Sequence, residues 1–217
     1  MFSRLDPDQL DQVAAGCRLV RLRRGEVLFH AGDPSAAFYA VVAGQVKLTL
    51  GTEGAEKILE LIRPGETFGE AVVFVGQPYP VTATALVASQ VLRIPDKVTD
   101  LVDQDPTFAR RMLAGMAVRL HTMVKDVAAV TLWSGRQRVV GFLLGLAGDD
   151  AGPATVVRLP ATKAVLASRL SLTPETFSRT LRELSDAGLV EVHGSQIVLL
   201  DPSALTDAAG PDHTTWH

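Results

Sequence analysis

Six apolar residues recur along one stretch of this chain at a spacing that suits a helix with a partner. Leu113, Met116, Leu120, Met123, Val127 and Val130 follow one another at intervals of 3, 4, 3, 4 and 3. That is the a/d pattern of a coiled-coil seam. A seam two residues wide is narrower than the stripe that normally docks a helix on its own domain. The pattern therefore predicts a parallel homodimer paired through this helix; the alternative is a helix packed on its own domain. Asp105 is suited to N-cap the helix and Pro106 to occupy its first position. Running to about Trp133, the helix would be roughly 42 Å long.

The stretches on either side differ in style. Residues from about 19 to 95 read as short strands separated by turn signals such as Arg24-Gly25-Glu26, Ala43-Gly44 and Pro64-Gly65-Glu66. In "GQVKLTL", Val46, Leu48 and Leu50 alternate with Lys47 and Thr49, as on a half-buried strand. Strands at this spacing predict an antiparallel barrel or jelly roll. Beyond the long helix, "RQRVVGFLLGLAG" reads as an amphipathic helix ended by Gly148. Two short helices follow, with Thr162 and Thr173 as N-caps and Gly188 as a C′ residue. "LVEVHGSQIVLLD" then reads as a hairpin turning at His193-Gly194-Ser195. Helix, turn, helix and hairpin make a winged helix-turn-helix. The expected class is α+β. An N-terminal antiparallel β-roll (1–104) precedes a dimerisation helix (105–134), a winged helix-turn-helix (135–202) and a flexible polar tail (203–217).

Composition limits the functions such a chain can have. Its 217 residues can bury a core in each of two domains. The formal net charge of −3 argues against non-specific coating of nucleic acid, yet leaves room for a local basic patch. The single cysteine, Cys17, rules out an internal disulfide and a Cys-ligated iron–sulfur cluster. This cysteine usage, the absence of an apolar run long enough for a membrane span and the absence of a signal-like N-terminus lead to a cytoplasmic expectation.

The stretch "SLTPETFSRTLR" carries the chemistry. The second helix of a helix-turn-helix enters the major groove N-terminus first. Glu175, Ser178 and Arg179 are three and four residues apart and share one face of its first turns. Arg179 can bond guanine O6 and N7 together, Glu175 can accept from the cytosine amino group, and Ser178 can bond several bases. A carboxylate there is repelled by phosphate, so its presence points to base reading. Thr173 and Thr176 suit phosphate or capping bonds. Lys163, Arg169 and Arg182 suit phosphate contacts, which position without specifying. The bland alternative is that Glu175 complements the helix dipole and pairs with Arg179.

With these residues the chain resembles the Crp/Fnr family of bacterial transcription regulators over nearly its whole length. The resemblance implies a cyclic-nucleotide-binding-like roll, a dimerisation helix and a DNA-binding winged helix-turn-helix. It implies a small-molecule effector, double-stranded DNA and RNA polymerase as partners. "PETFSR" looks like the reading helix of Fnr-type members, which favour inverted repeats of TTGAT-type half-sites. The cAMP-binding pattern has Gly-Glu followed about ten residues later by an Arg that holds the cyclic phosphate. Here Gly69-Glu70 occur, but no Lys or Arg lies between Ala71 and Leu92. A buried phosphate without a cation is strongly unfavourable, so cyclic nucleotide is not the expected effector and Gly69-Glu70 are expected to be structural. "EKILELIRPGETFGEAVVF", "RLHTMVKDV" and "LTPETFSRTLRELSDAG" look most like the cluster-free DNR/NNR type, which responds to nitric oxide. That resemblance implies haem as a possible cofactor, for which His121 is the candidate axial ligand; the alternative is a histidine of the helix surface or a satisfied interdomain histidine.

Two other functional classes make different demands on the sequence. A cupin-like metal enzyme needs two or three His and a carboxylate converging on one metal. The strand-rich region holds only His30 and no His-x-His, so catalysis is not expected. A DNA-binding protein whose roll binds nothing fits the same residues, and would bind DNA equally with and without any effector.

Overall fold

The computed structural model describes residues 14, 16–51, 56–96, 105–148 and 151–209. The chain divides into two compact units, Met1–Leu120 and His121–His217. His213 and His217, expected in a tail, lie outside the described residues.

Among the described residues of the first unit, turn glycines and β-branched runs produce eight strands: β1 (Arg18–Leu22), β2 (Val27–Phe29), β3 (Ala37–Ala43), β4 (Val46–Leu50), β5 (Lys57–Ile62), β6 (Thr67–Phe68), β7 (Thr82–Ala85) and β8 (Ser89–Pro95). They form two four-stranded antiparallel sheets, ordered β1-β8-β3-β6 and β2-β7-β4-β5. Strands distant in sequence are neighbours in both, as in the expected roll. Between them four rings pack together. Phe29 stacks on Tyr79 at 3.8 Å between centroids and on Tyr39 at 5.6 Å, and Phe68 lies 5.5 Å from Tyr39. The Tyr79 hydroxyl donates to the Ala37 carbonyl, which satisfies its polar end inside an apolar core.

Two details depart from the alternation expected for this region. Val46 and Leu48 are buried as predicted, but Thr49 is 1% exposed and Leu50 is 44% exposed. The β4–β5 register shifts between Leu48 and Thr49, and such an irregularity breaks the two-residue period. The second is a short helix, α1 (Glu70–Val75), in a segment expected to hold only strands. Gly44 ends β3 at φ 86°, and a Cβ there would stand 2.6 Å from the Ala88 carbonyl oxygen. Only glycine combines that conformation with that closeness.

The long helix is α2 (Pro106–Leu132). Thr107 N–H donates to Asp105 Oδ1 at 2.8 Å, so Asp105 caps it as its sequence suggested. Phe108 and Met112 are buried with Phe38 and Ile94 of the roll. This packing ties the start of the helix to the first unit, and the two units divide inside the helix, after Leu120.

In the second unit, α3 (Gly135–Ala147) begins with a full capping box, Ser134 with Gln137, and Gly148 follows its end. Then come β9 (Thr155–Arg158), α4 (Lys163–Arg169), α5 (Pro174–Asp186), β10 (Val190–His193), β11 (Gln196–Leu199) and α6 (Pro202–Ala209). The hairpin β10–β11 turns at Gly194, φ 64°, and β9 adds to it in the order β10-β11-β9. Strand β9 was not foreseen, since four residues offer little pattern. The expectation of a flexible tail from 203 is corrected as far as 209. Asp201 Oδ1 accepts from the Ser203 and Ala204 N–H groups, Pro202 takes the first turn, and Leu205 is fully buried.

Candidate nucleic-acid interface

Helix α5 has two opposed faces. Phe177, Thr180, Leu181 and Leu184 are buried, and this three- and four-residue spacing seats the helix on its unit. Glu175, Ser178, Arg179 and Arg182 are exposed. The three residues expected to read bases therefore lie together on the open side of the first turns. Arg179 Nε lies 3.8 Å from Glu183 Oε1; it pairs forward along the helix and not back to Glu175. The bland alternative required the opposite pairing.

The helix start is built by its threonines. Thr173 caps α5, with Thr176 N–H donating to its hydroxyl at 3.1 Å, and the two hydroxyls lie 3.1 Å apart. Both side chains thus serve the cap. The Glu175 backbone N–H, and then the Thr173 hydroxyl, hold the exposed Glu175 carboxyl below the usual carboxylate range. It is a ready acceptor.

Helix α4 stands in front of α5. Lys163 is half-buried at its first position. Arg169, expected on phosphate, instead donates to Asp126 Oδ2 at 2.5 Å. Sequence reading missed this pair because 43 residues separate its members. It also missed Arg138 of α3, whose Nη1 donates to the Leu170 carbonyl at 2.9 Å and to the Ser171 carbonyl at 3.3 Å. At the tip of the wing, His193 is exposed and lies 3.2 Å from Glu191.

On α2 the predicted seam is open in the single chain. Leu113, Leu120 and Val127 are 66%, 64% and 67% exposed, Met123 and Val130 are also exposed, and Met116 is half-buried. A stripe of apolar side chains this long is far from the scattered singles of an ordinary surface.

In the first unit, Gly69 and Glu70, expected to be structural, stand at the start of α1, with Gly69 at φ 84°. Glu70 is 5% exposed at the start of α1. Arg119 of α2 donates to Glu70 Oε1 at 2.6 Å and to the Thr67 carbonyl at 2.5 Å, and lies 3.3 Å from Glu60 Oε1. Cys17 is half-buried, and burial pushes its thiol up from the ordinary value.

Two family profiles match these units. A cyclic nucleotide-binding domain matches residues 19–105 and a Crp-like helix-turn-helix domain matches residues 137–208. The chain belongs to the Crp/Fnr family of DNA-binding transcription regulators. Among Crp/Fnr relatives, the transcriptional activator protein anr of Pseudomonas aeruginosa is 28% identical over 94% of this chain and 85% of its own. FixK2 of Bradyrhizobium japonicum is similar in structure, at a TM-score of 0.77, 26% identity and coverage of 90% and 98% of the two chains. A candidate cyclic nucleotide binding protein from Ruegeria pomeroyi is 34% identical over 96% of this chain and 92% of its own, at a TM-score of 0.61. As in the sequence reading, the family is one of regulators and not of enzymes. No helix among the described residues is long and apolar enough to cross a membrane.

Proposed function

We propose that this regulator binds TTGAT-type palindromes as a homodimer. Each α5 would read one half-site through Glu175, Ser178 and Arg179. The observation that carries the reading is the open face of α5, where an acceptor, a hydroxyl and a guanidinium stand together opposite a fully buried face. Bidentate Arg179 on guanine and Glu175 on a cytosine amino group would supply base discrimination. Arg182 and Lys163 would meet phosphates. The exposed α2 seam supports pairing of two copies, because it offers knobs at coiled-coil spacing. Residues 105–134 would then serve as the dimer arm, 1–104 as the effector domain, and 135–202 as the reading domain. RNA polymerase is the proposed downstream partner.

The effector is proposed to be nitric oxide or a related nitrogen-oxide signal, on the likeness of "EKILELIRPGETFGEAVVF" and "RLHTMVKDV" to the nitric-oxide-responsive type. Haem as its carrier fits the described residues poorly. His121 and His30 are both exposed, and the space between the sheets is filled by the rings of Phe29, Tyr39, Phe68 and Tyr79. Cyclic nucleotide is disfavoured on the side-chain contacts as well, since the Glu70 carboxylate is already bonded by Arg119.

Fluorescence anisotropy on a labelled TTGAT-N4-ATCAA duplex, run without oxygen, tests the reading. Protein alone and protein with haem are each titrated with and without nitric oxide. Binding that strengthens with nitric oxide supports gating. Equal binding in all arms leaves a DNA-binding protein gated by another molecule or by none. A scrambled duplex bound equally well removes the assignment of Glu175, Ser178 and Arg179.

A further inference from the structure

The turn between α4 and α5 contains a serine where a glycine would be expected. Ser171 sits at φ 56°, and only it and Ala154 among the described non-glycine residues have positive φ. Side chains with a Cβ avoid this left-handed region, and helix ends that need it usually take glycine. Leu170 closes α4, Thr173 opens α5, and only Ser171 and Leu172 join them. The conformation of Ser171 therefore sets the angle at which α5 leaves α4.

Ordinary helix-end bonds account for the amides of this turn. Leu170 N–H donates to Leu166 O, Ser171 N–H to Ser168 O and Leu172 N–H to Ala167 O. The carbonyls of Leu170 and Ser171 take part in none of these three bonds. Those two oxygens are gripped from outside by one guanidinium group, Arg138 on the first turn of α3. Arg138 Nε is buried without a protein partner, so the group is oriented for these carbonyls at a cost to its own bonding. The same helix end approaches the turn closely, since a Cβ on Gly135 would lie 3.0 Å from Leu172 Cδ2.

We propose that Arg138 is a positioning residue for DNA reading. By holding the Leu170 and Ser171 carbonyls it keeps Ser171 left-handed, and so sets how α5 presents Glu175, Ser178 and Arg179. This rests on the DNA-reading proposal for α5. Arg138 touches no base in it; it acts through the turn. Loss of Arg138 should harm base discrimination more than phosphate binding, because phosphate contacts tolerate a tilted helix while paired bonds to base edges do not. The defect should be repaired by a residue that adopts left-handed φ without help.

The experiment compares wild type, Arg138→Gln, Ser171→Gly and the double variant. Each is titrated against the palindrome and a scrambled duplex, and its amide hydrogen exchange is followed at 170–173 without DNA. Arg138→Gln should lower the palindrome-to-scrambled affinity ratio about tenfold, the scale of one charge-assisted hydrogen bond. Its exchange at 170–173 should speed up. Ser171→Gly alone should leave the ratio within about twofold, and in the double variant it should restore most of the ratio and the slow exchange. An unchanged ratio with Arg138→Gln, or a double variant no better than it, overturns the proposal. If Arg138→Gln does not fold, Arg138→Lys, which offers a point charge in place of the fork, takes its place with the same two outcomes. If wild type shows no preference for the palindrome, the DNA reading has failed, and exchange alone then decides the role of Arg138.

Discussion

Arg179 has a choice of partners: Glu183 along the helix in the free protein, or a base edge in the proposed complex. An exposed pair at 3.8 Å is worth little, so it does not compete seriously with a bidentate bond to guanine. Arg179→Ala should weaken binding to the proposed palindrome by about 2 kcal/mol and relax preference at one base pair; competition titrations with single-base variants would read both. Glu175 is governed by its cap. Its carboxyl is held low by its own backbone N–H and by Thr173. The stabilisation this gives is therefore fully present above the ordinary glutamate range and disappears as pH falls through the depressed value. Glu175→Gln should flatten that acid-side dependence of melting temperature while leaving neutral-pH folding intact. In the roll, Gly44→Ala should cost about 2 kcal/mol, from strain at positive φ and collision with the Ala88 carbonyl, visible as a lower denaturation midpoint.

At the level of elements, α2 has two kinds of apolar side chain. Phe108 and Met112 are buried within the chain, while the seam is open. If the seam pairs two copies, Val127→Glu should yield a monomer in sedimentation experiments. Affinity for the palindrome should then fall by about 100-fold or more, because two linked reading heads become one. Helix α4 makes a different point. Asp126 holds Arg169 at 2.5 Å, so Arg169 is engaged within its own unit. Asp126→Asn releases Arg169 from that carboxylate, and the slope of log affinity against log salt should steepen by about 0.9, one phosphate contact's worth.

For the molecule as a whole, the contacts around Glu70 tie the long helix to the roll within the first unit. Its carboxylate is buried in the roll unit and answered by Arg119, which also reaches Thr67 and Glu60. Removing one partner of such a pair leaves a charge in a poorly solvated place. Arg119→Leu should destabilise the first unit by about 3 kcal/mol, and adding Glu70→Gln should recover part of that in thermal denaturation. A cyclic nucleotide added to wild type should leave the melting temperature unchanged if this ion pair occupies the carboxylate as the contacts indicate.

Much of this architecture was legible along the chain because it rests on local rules. The 3,4,3,4,3 stripe, Asp105-Pro106, Thr173-Pro174 and the Gly194 turn each specify backbone or face through neighbours a few residues away, and all appear as helix, cap or hairpin where expected. That Glu175, Ser178 and Arg179, the proposed base readers, share an exposed face was legible for the same reason, since residues three and four apart on a helix share a face whatever surrounds it. What stayed hidden depends on contacts between distant residues. The burial of Thr49, the Arg119–Glu70 and Arg169–Asp126 pairs, and the grip of Arg138 on the Ser171 turn join residues 32 to 49 apart or follow from a register shift between strands. No periodicity encodes such partners, because long charged side chains choose among whatever acceptors the packing brings within reach.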